Sequence, residues 1–315
     1  MSLIEQAAKR LEQLRKAGVE IPQANVESEP PPSVQAAAAT ATAPATSAAR
    51  PPAVPDPTEA AVSRRVEIDL NALATTGLIS PDAPRTQLAD QFRVIKRPLI
   101  SNAMGKGASP IKRGNLIMVT SAISGEGKSF TAINLAMSIA MELDNTVMLV
   151  DADVPKPSLL KMLGLPAARG LLDVLTDPSV DFSQVLLRTN VDKLSILPSG
   201  TQHPRATELL ASEAMVALLD EMASRYPDRI IIFDSPPLLM TTESRALAGH
   251  MGQVVVVVRA ESTVRSDVKH ALAAIESCPV KLMLLNQARA AVQDGYGYGY
   301  GYGYGYGYGY GSDSA

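Results

Sequence analysis

The sequence predicts an α/β fold in which a mostly parallel sheet is flanked by helices on both faces, and two observations predict it. Short apolar runs recur along residues 116–286, and each suits a strand that is buried on both of its faces. Most of them are separated by stretches of helical period, such as SFTAINLAMSIAMEL, TELLASEAMVALLDEMASRY and SDVKHALAAIESC. The predicted strands are, in chain order, LIMVT, VMLVD, LSILP, RIIIFD, QVVVVV and VKLMLLN. Ligands of such sheets bind at the carboxyl ends of the strands.

Four segments are predicted along the chain. Residues 1–20 are typical of an amphipathic helix with a narrow apolar stripe, which suits docking on a partner or a second copy as well as packing on its own domain. Residues 21–65 are rich in Ala and Pro and are expected to form a disordered linker, because they cannot bury enough apolar surface to fold. Residues 66–290 form the predicted folded domain, and a Gly-Tyr tail that is expected to be disordered covers 291–315.

Composition excludes several classes of function. A net charge of -3 and scattered Lys and Arg residues give no basic field, so nucleic acid is not an expected partner. The apolar runs are far shorter than the ~20 residues of a membrane span, and no signal peptide is evident, so a cytoplasmic location is expected. The single cysteine, Cys278, follows an apolar segment and is expected to be a buried structural residue.

A phosphate-binding loop is predicted where the first strand gives way to a helix, in SAISGEGKSFTAINLA. Gly125 and Gly127 free backbone N–H groups for phosphate oxygens, Lys128 adds a cation, and Ser129 offers a hydroxyl for Mg²⁺. Ala122 stands where the strict pattern has glycine. The sequence therefore predicts a P-loop NTPase domain with ATP and Mg²⁺ as cofactors. The predicted nucleotide contacts in this loop are Ser124, Gly125, Glu126, Gly127, Lys128, Ser129 and Phe130.

Acidic residues follow two of the predicted strands. Asp151 and Asp153 come at the end of VMLVD, and Asp234 ends RIIIFD. Either acid of the first pair alone would indicate only a solvated acid at the end of a strand. Beside a phosphate loop, however, the acids indicate Mg²⁺ ligands and a proton acceptor. The predicted metal ligands are Ser129, Asp151, Asp153 and Asp234, and the predicted catalytic residues are Lys128, Asp151, Asp153 and Asp234.

The C-terminal tail alternates glycine with tyrosine. A sticky low-complexity segment and an aggregation-prone strand are two interpretations. The third is that each tyrosine hydroxyl is a substrate, carried on a chain that spans roughly 17–28 Å from Asn286 if it behaves as a Gly-rich coil. That reach covers a neighbour's site as readily as its own. The predicted phosphorylation sites are Tyr296, Tyr298, Tyr300, Tyr302, Tyr304, Tyr306, Tyr308 and Tyr310.

Several motifs resemble those of bacterial tyrosine autokinases, the kinases that act with chain-length regulators in polysaccharide export. They are MVTSAISGEGKSFTAINLA, VMLVDADVPKPSL, LPSG followed by ATELLASEAM, IIIFDSPPLLMTTES and MLLNQAR, followed by the tyrosine-rich end. The N-terminal helix and linker most resemble the exosortase-associated members. The resemblance implies that Lys128 binds phosphate, that Asp151 accepts the tyrosine proton, and that Asn286 meets the adenine.

The resemblance also implies a physiological role. It implies a protein-tyrosine kinase that phosphorylates its own tail, in trans within a homo-oligomer, and regulates exopolysaccharide polymerisation and export. Its implied partners are a membrane chain-length-determinant activator, which recruits it to the inner membrane face, and a cognate tyrosine phosphatase.

Two departures from the family pattern are visible. Pro155 replaces an arginine, with Lys156 beside it. The Glu-x-x-Arg-x-x-Arg helix through which subunits assemble appears as Asp90, Arg93 and Lys96, which are therefore the predicted oligomer contacts. The alternative class is a MinD/ParA-type switch ATPase without tyrosine transfer, but the extra lysine of that class is replaced here by Ile123.

Overall fold

The chain folds around a seven-stranded sheet with the strand order β3-β4-β2-β5-β1-β6-β7. The structure is a computed structural model that describes residues 63–82, 86–107, 109–225 and 228–288. Neighbouring strands are parallel except for β3 and β4. The strands are β1 Leu116–Ser121, β2 Thr146–Asp151, β3 Leu187–Arg188, β4 Leu194–Leu197, β5 Arg229–Asp234, β6 Gln253–Arg259 and β7 Val280–Asn286.

Helices connect most of these strands and lie on both faces of the sheet. Within the described ranges they are α1 Leu70–Thr75, α2 Gln87–Ala103, α3 Lys128–Ala140, α4 Leu159–Met162, α5 Leu171–Thr176, α6 Phe182–Val185, α7 Ala206–Leu210, α8 Glu213–Arg225, α9 Glu243–Ala248 and α10 Arg265–Ala273. None of the helices in this part of the chain has the length and hydropathy of a membrane span.

The predicted fold class is confirmed, and the alternation of side chains in β1 shows why the strands read as continuous apolar runs. Ile117 and Val119 join the apolar cluster that contains α2 and α3, whereas Leu116 and Met118 join the cluster that contains α8 and α9. Because successive side chains point to opposite faces and both faces are covered, the first four positions of the strand are all apolar, and Thr120 and Ser121 at its end are buried as well. All six predicted strands are present.

Two details differ from the prediction. One strand, β3, was not predicted. It has only two residues and pairs antiparallel with β4, and two residues are too few to show a strand pattern in the sequence. The stretch TELLASEAMVALLDEMASRY forms two helices, α7 and α8, instead of one. The break falls at Ser212, whose hydroxyl accepts a hydrogen bond from the N–H of Met215 at 3.2 Å and so begins a new helix.

The predicted segment boundaries are described only in part. Val66 N–H donates to the carbonyl of Arg188 at 2.8 Å, and Arg65 forms a bridge with the same residue. The chain therefore joins the edge of the sheet at Arg65 and Val66, and the predicted boundary between linker and domain stays a prediction. The predicted helix at 1–20, the predicted linker up to residue 62 and the tail at 291–315 lie outside the described residues.

Helix α2 is fixed to the domain by a buried lysine. Lys96 Nζ donates to the carbonyl oxygen of Ser138 at 2.5 Å and lies 2.6 Å from a carboxylate oxygen of Glu142. Only 5% of Lys96 is exposed. A cation at the C-terminal end of α3 is favoured by the helix dipole and by the unpaired carbonyls there. Lys96 therefore differs from the predicted oligomer contact, because its ammonium binds Ser138 and Glu142 of its own chain.

Arg93 and Lys96 give a matched test of this arrangement. Lys96→Met keeps the apolar stem but removes the ammonium, so we expect it to lower the free energy of unfolding by about 1–3 kcal/mol. Arg93 pairs with Asp90 at a half-exposed position, so Arg93→Met should cost less than about 1 kcal/mol. Urea unfolding with unchanged m values measures both, and equal losses in the two variants would contradict a buried role for Lys96.

Candidate active site

The loop between β1 and α3 has the backbone of a phosphate site. Gly125 and Gly127 have φ angles of 88° and 94°, in the left-handed region that only glycine adopts without strain. A Cβ on Gly127 would also overlap the side-chain amide of Asn286. The loop leads directly into the N-terminus of α3, where free N–H groups and the helix dipole favour an anion. Ala122 is fully buried and is not among the residues with positive φ, so glycine is not required there.

Lys128 lies among the predicted acids. Its Nζ is 2.5 Å from Asp153 Oδ2 and 3.7 Å from Asp234 Oδ1, and it donates to Ser129 Oγ at 3.3 Å. Burial alone would lower the pKa of Lys128, but the charges of Asp234 and Asp153 outweigh it and leave the pKa raised. The lysine is therefore a firmly protonated cation at the carboxyl edge of the sheet.

Asp151 ends β2 and holds the start of α4. Its Oδ2 accepts hydrogen bonds from the backbone N–H groups of Ser158 at 3.2 Å and Leu159 at 3.1 Å. Its Oδ1 is buried and has no hydrogen-bond partner in the described part of the chain. Burial, followed by the charge of Asp234, raises the pKa of Asp151 to about 7, although the backbone N–H groups oppose the shift. A carboxylate with this pKa can gain and lose a proton near neutral pH.

Asp234 lies beside Asp151 on the neighbouring strand, in register with it. It is fully buried, and neither of its oxygens has a hydrogen bond of normal geometry to any residue that the structure describes. Burial raises the pKa of Asp234 to about 6, and the Lys128 charge and the Ser129 hydroxyl moderate the increase. The strand register thus brings Asp151 and Asp234 together, with Lys128 between Asp153 and Asp234.

The residues present fit a nucleotide phosphate with Mg²⁺. Buried polar atoms in proteins are nearly always hydrogen-bonded, yet three carboxylate oxygens of Asp151 and Asp234 accept no hydrogen bond from the described residues. Among the described residues, no three His, Cys, Asp or Glu side chains form a ready-made metal cage. Mg²⁺ in nucleotide sites needs only one or two carboxylates and takes its other ligands from phosphate and water. Ser129, Asp151, Asp153 and Asp234 are the residues that would hold it.

Comparison with known proteins identifies the family of this chain. A family model described as "AAA domain" matches residues 114–283. Tyrosine-protein kinase YwqD of Bacillus subtilis (strain 168) is 32% identical over 206 residues, which cover 65% of this chain and 83% of that protein. The chain belongs to the bacterial tyrosine-protein kinases. It is a protein-tyrosine kinase with a P-loop domain.

Two further similarities differ in coverage. The putative tyrosine-protein kinase EpsB of Ralstonia nicotianae (strain ATCC BAA-1114 / GMI1000) is 31% identical over 223 residues, which cover 69% of this chain but only 28% of EpsB. The crystal structure of the chimerical protein CapA2B2 has a TM-score of 0.56 and 27% identity, and the match covers 70% of this chain and 93% of that one. The match therefore covers most of the length of some relatives and about a quarter of the length of others.

Ser158 is a site residue that the sequence did not indicate. Its hydroxyl lies 3.1 Å from that of Ser129, and its N–H binds Asp151. It thus connects the phosphate loop of the kinase to the acids after β2. The only signal in the sequence is a serine just before LLKM, which indicates the start of a helix and not a site.

Glu126 was predicted to contact nucleotide, but its side chain points into the domain. Its Oε2 accepts from the N–H of Ile123 at 2.8 Å, and its Oε1 accepts from the N–H of Arg259 at 3.3 Å and from the hydroxyl of Thr263. The side chain therefore shapes the loop of the kinase, and only backbone groups of Glu126 remain for a ligand.

Asn286 lies against the phosphate loop, and its contact with adenine stays a prediction. Its Nδ2 donates to the carbonyl oxygen of Glu126 at 2.8 Å. Phe130 and Asn286 line the same cavity, whereas Ser124 and Gly125 are exposed at the tip of the loop.

Asp90 and Arg93 lie on α2 and pair with each other at 2.6 Å. The eight predicted tyrosines lie outside the described residues.

The raised pKa values predict how stability depends on pH without nucleotide. The folded-state pKa of Asp151 is about 7, above its ordinary value of 3.8, so its contribution to stability is complete below about pH 4 and is lost as pH rises through 7. The pKa of Asp234, raised to about 6, acts in the same direction. We expect Asp151→Asn to reduce this loss and to gain about 1–4 kcal/mol relative to the parent at pH 8.

Urea unfolding between pH 4 and pH 8 measures this difference. Asp192→Asn, at an exposed position, is the matched control and should follow the parent at every pH. Parallel curves for Asp151→Asn and the parent would show that Asp151 does not titrate in this range.

Proposed function

We propose that this kinase uses ATP and Mg²⁺ to phosphorylate its own C-terminal tyrosines, in trans within a homo-oligomer. We further propose that it regulates exopolysaccharide polymerisation and export, as an exosortase-associated member of its family. In this proposal it is cytoplasmic, a membrane chain-length-determinant activator recruits it to the inner membrane face, and a cognate phosphatase resets the tail. The observation that carries the proposal is the convergence of Lys128, Asp151 and Asp234 in a chain that also carries eight clustered tyrosines.

The side chains suit phosphoryl transfer to a phenol. ATP supplies the phosphoryl group and Mg²⁺ neutralises its charge when both are bound. Lys128 is already protonated and exchanges one anionic partner, Asp153, for another when phosphate oxygens are present. Asp151 has an unpaired oxygen and a pKa of about 7, so it accepts the proton that the tyrosine hydroxyl loses. Lys156 is exposed on the loop after β2 and supplies the charge that the family places at position 155.

Mapping phosphate on the purified chain tests the reaction. After incubation with ATP and Mg²⁺, mass spectrometry should find phosphotyrosine within residues 296–310. Lys128→Met should abolish it, because the transferring group loses its cation. Lys161→Met, which removes an exposed lysine on α4, should leave the labelling unchanged. ATP hydrolysis without labelled tyrosine, even with a fragment of a membrane activator, would favour a switch ATPase instead.

Mixing two variants tests transfer between chains. One carries Lys128→Met and the intact tail, and the other is active but ends at Ala288. Phosphotyrosine on the Lys128→Met chain demonstrates transfer in trans.

We also expect Arg93→Glu in both chains to lower the oligomer mass in light scattering and the labelling together, since Arg93 and Asp90 lie half exposed on α2.

The truncated chain must first phosphorylate an added tyrosine peptide. If it does so but the mixture stays unlabelled, while the full chain labels as a verified monomer, the tail serves the site of its own chain. An unchanged oligomer mass in the Arg93→Glu variant would remove this residue from the assembly surface.

A further inference from the structure

An apolar groove runs between α2 and β7. It has a volume of about 1060 Å³, just above the range of roughly 300–1,000 Å³ that is common for ligand pockets. Six large apolar side chains are exposed in the described part of the chain, and three of them, Val94, Met283 and Leu285, line this groove. Their exposed fractions are 71%, 62% and 63%. Such a concentration of exposed apolar side chains marks a docking surface.

Two properties of the groove restrict what it can bind. The described residues that line it include no charged side chain, and its polar side chains are only Gln91, Asn286 and Gln287. Strand β7 is the last strand of the sheet and pairs only with β6 among the described residues. A free strand edge is a template for an added extended segment. The groove therefore suits an uncharged, extended chain with apolar or aromatic side chains.

The chain itself supplies such a segment at the end of the groove. Gln287 and Ala288 line the groove, and Gln287 has a φ angle of 55°, which turns the chain out of the strand direction. The sequence that follows carries no charge between Asp294 and Asp313 and alternates glycine with tyrosine. In an extended segment this alternation places every tyrosine on one face and only glycine on the other.

We propose that the unphosphorylated tyrosine cluster of the same chain docks in this groove, extended along the free edge of β7 with its rings in the apolar cavity. Leu282 to Asn286 spans about 13 Å at ~3.3 Å per residue, and tyrosines two residues apart repeat every ~6.6 Å. About three rings fit at a time. The uniform repeat allows any consecutive tyrosines to occupy the groove, since register is weakly specified in a Gly-rich strand.

Phosphorylation ends this docking. Each phosphate adds about -1.5 to -2 charges, which an uncharged apolar groove cannot solvate. The docked state thus keeps unmodified tyrosines beside the phosphate loop, because Gly127 and Phe130 form part of the same groove. This regulatory role rests on the proposed autophosphorylation, but the docking itself requires no catalysis.

Photo-cross-linking tests the docking in the full chain without ATP. Benzoylphenylalanine replaces Val94, which is largely exposed, in dephosphorylated protein made as an equal mixture of ¹⁵N-labelled and unlabelled chains. We expect cross-links within one chain from position 94 to residues 289–315. The matched control places the same group at Leu143, which is 87% exposed outside the groove, and should give at least a tenfold lower yield with the tail.

Tail variants separate the docking from the kinase reaction. Changing all eight tyrosines to Phe keeps the rings but removes the hydroxyl acceptors, so the cross-link should persist. Changing all eight to Glu should reduce it at least tenfold, and Leu285→Glu in the groove should do the same. Equal urea midpoints for these chains confirm that the fold is intact.

Several outcomes overturn the proposal. They are cross-links from position 94 to residues 1–20, cross-links only between isotopically different chains, equal tail yields from positions 94 and 143, and equal yields from the Phe and Glu tails. If the Phe tail cross-links but the parent chain never labels with ATP, the docking stands and the proposed autophosphorylation fails.

Discussion

The structure depends on one electrostatic constraint, which is that the cation of Lys128 lies among three buried acids at the carboxyl edge of the sheet. Asp153 takes the direct ion pair, Asp234 lies farther away, and Asp151 is held by backbone N–H groups instead. Burial raises the pKa values of Asp151 and Asp234, and the single positive charge of Lys128 cannot offset that effect for three acids. The site therefore favours additional positive charge, which is the property a Mg²⁺-nucleotide site requires.

The apolar layers around the sheet make this charged edge tolerable. Buried carboxylates without partners oppose folding, and most of the compensating stabilisation comes from strands such as β1, which is buried along its whole length. Register gives the precision, because the pairing of β2 with β5 places Asp151 opposite Asp234. Functional sites in proteins commonly oppose folding in this way, and the apolar core of the same domain offsets their cost in free energy.

The sequence predicted the sheet, and it placed a glycine-rich loop and three acids after the strands, because each of these features is a local pattern in the sequence. Contacts between distant segments could not be predicted in this way. Glu126 turns inward because Thr263 and Arg259, more than 130 residues later, supply its donors. Ser158 enters the site only because the carboxylate of Asp151 binds the N–H groups at the start of α4. Arg93 and Lys96 share a helical spacing, yet one is half exposed and the other is buried against α3, which spacing alone does not distinguish.

Helix α2 connects the active site to the surface beside it. Lys96 fixes the helix to the end of α3, the helix that begins with Lys128, while Val94 and Phe92 of α2 form a wall of the groove along β7. In the proposed function, the C-terminal tail would thus meet two different environments beside α2, which are an uncharged groove and an acidic site edge. A neutral tyrosine is accepted by both, whereas eight phosphates would add about -12 to -16 charges. That change is several times the net charge of -3 of the whole chain, so we expect the phosphorylated tail to leave both environments, the groove because it cannot solvate phosphates and the site edge because like charges repel.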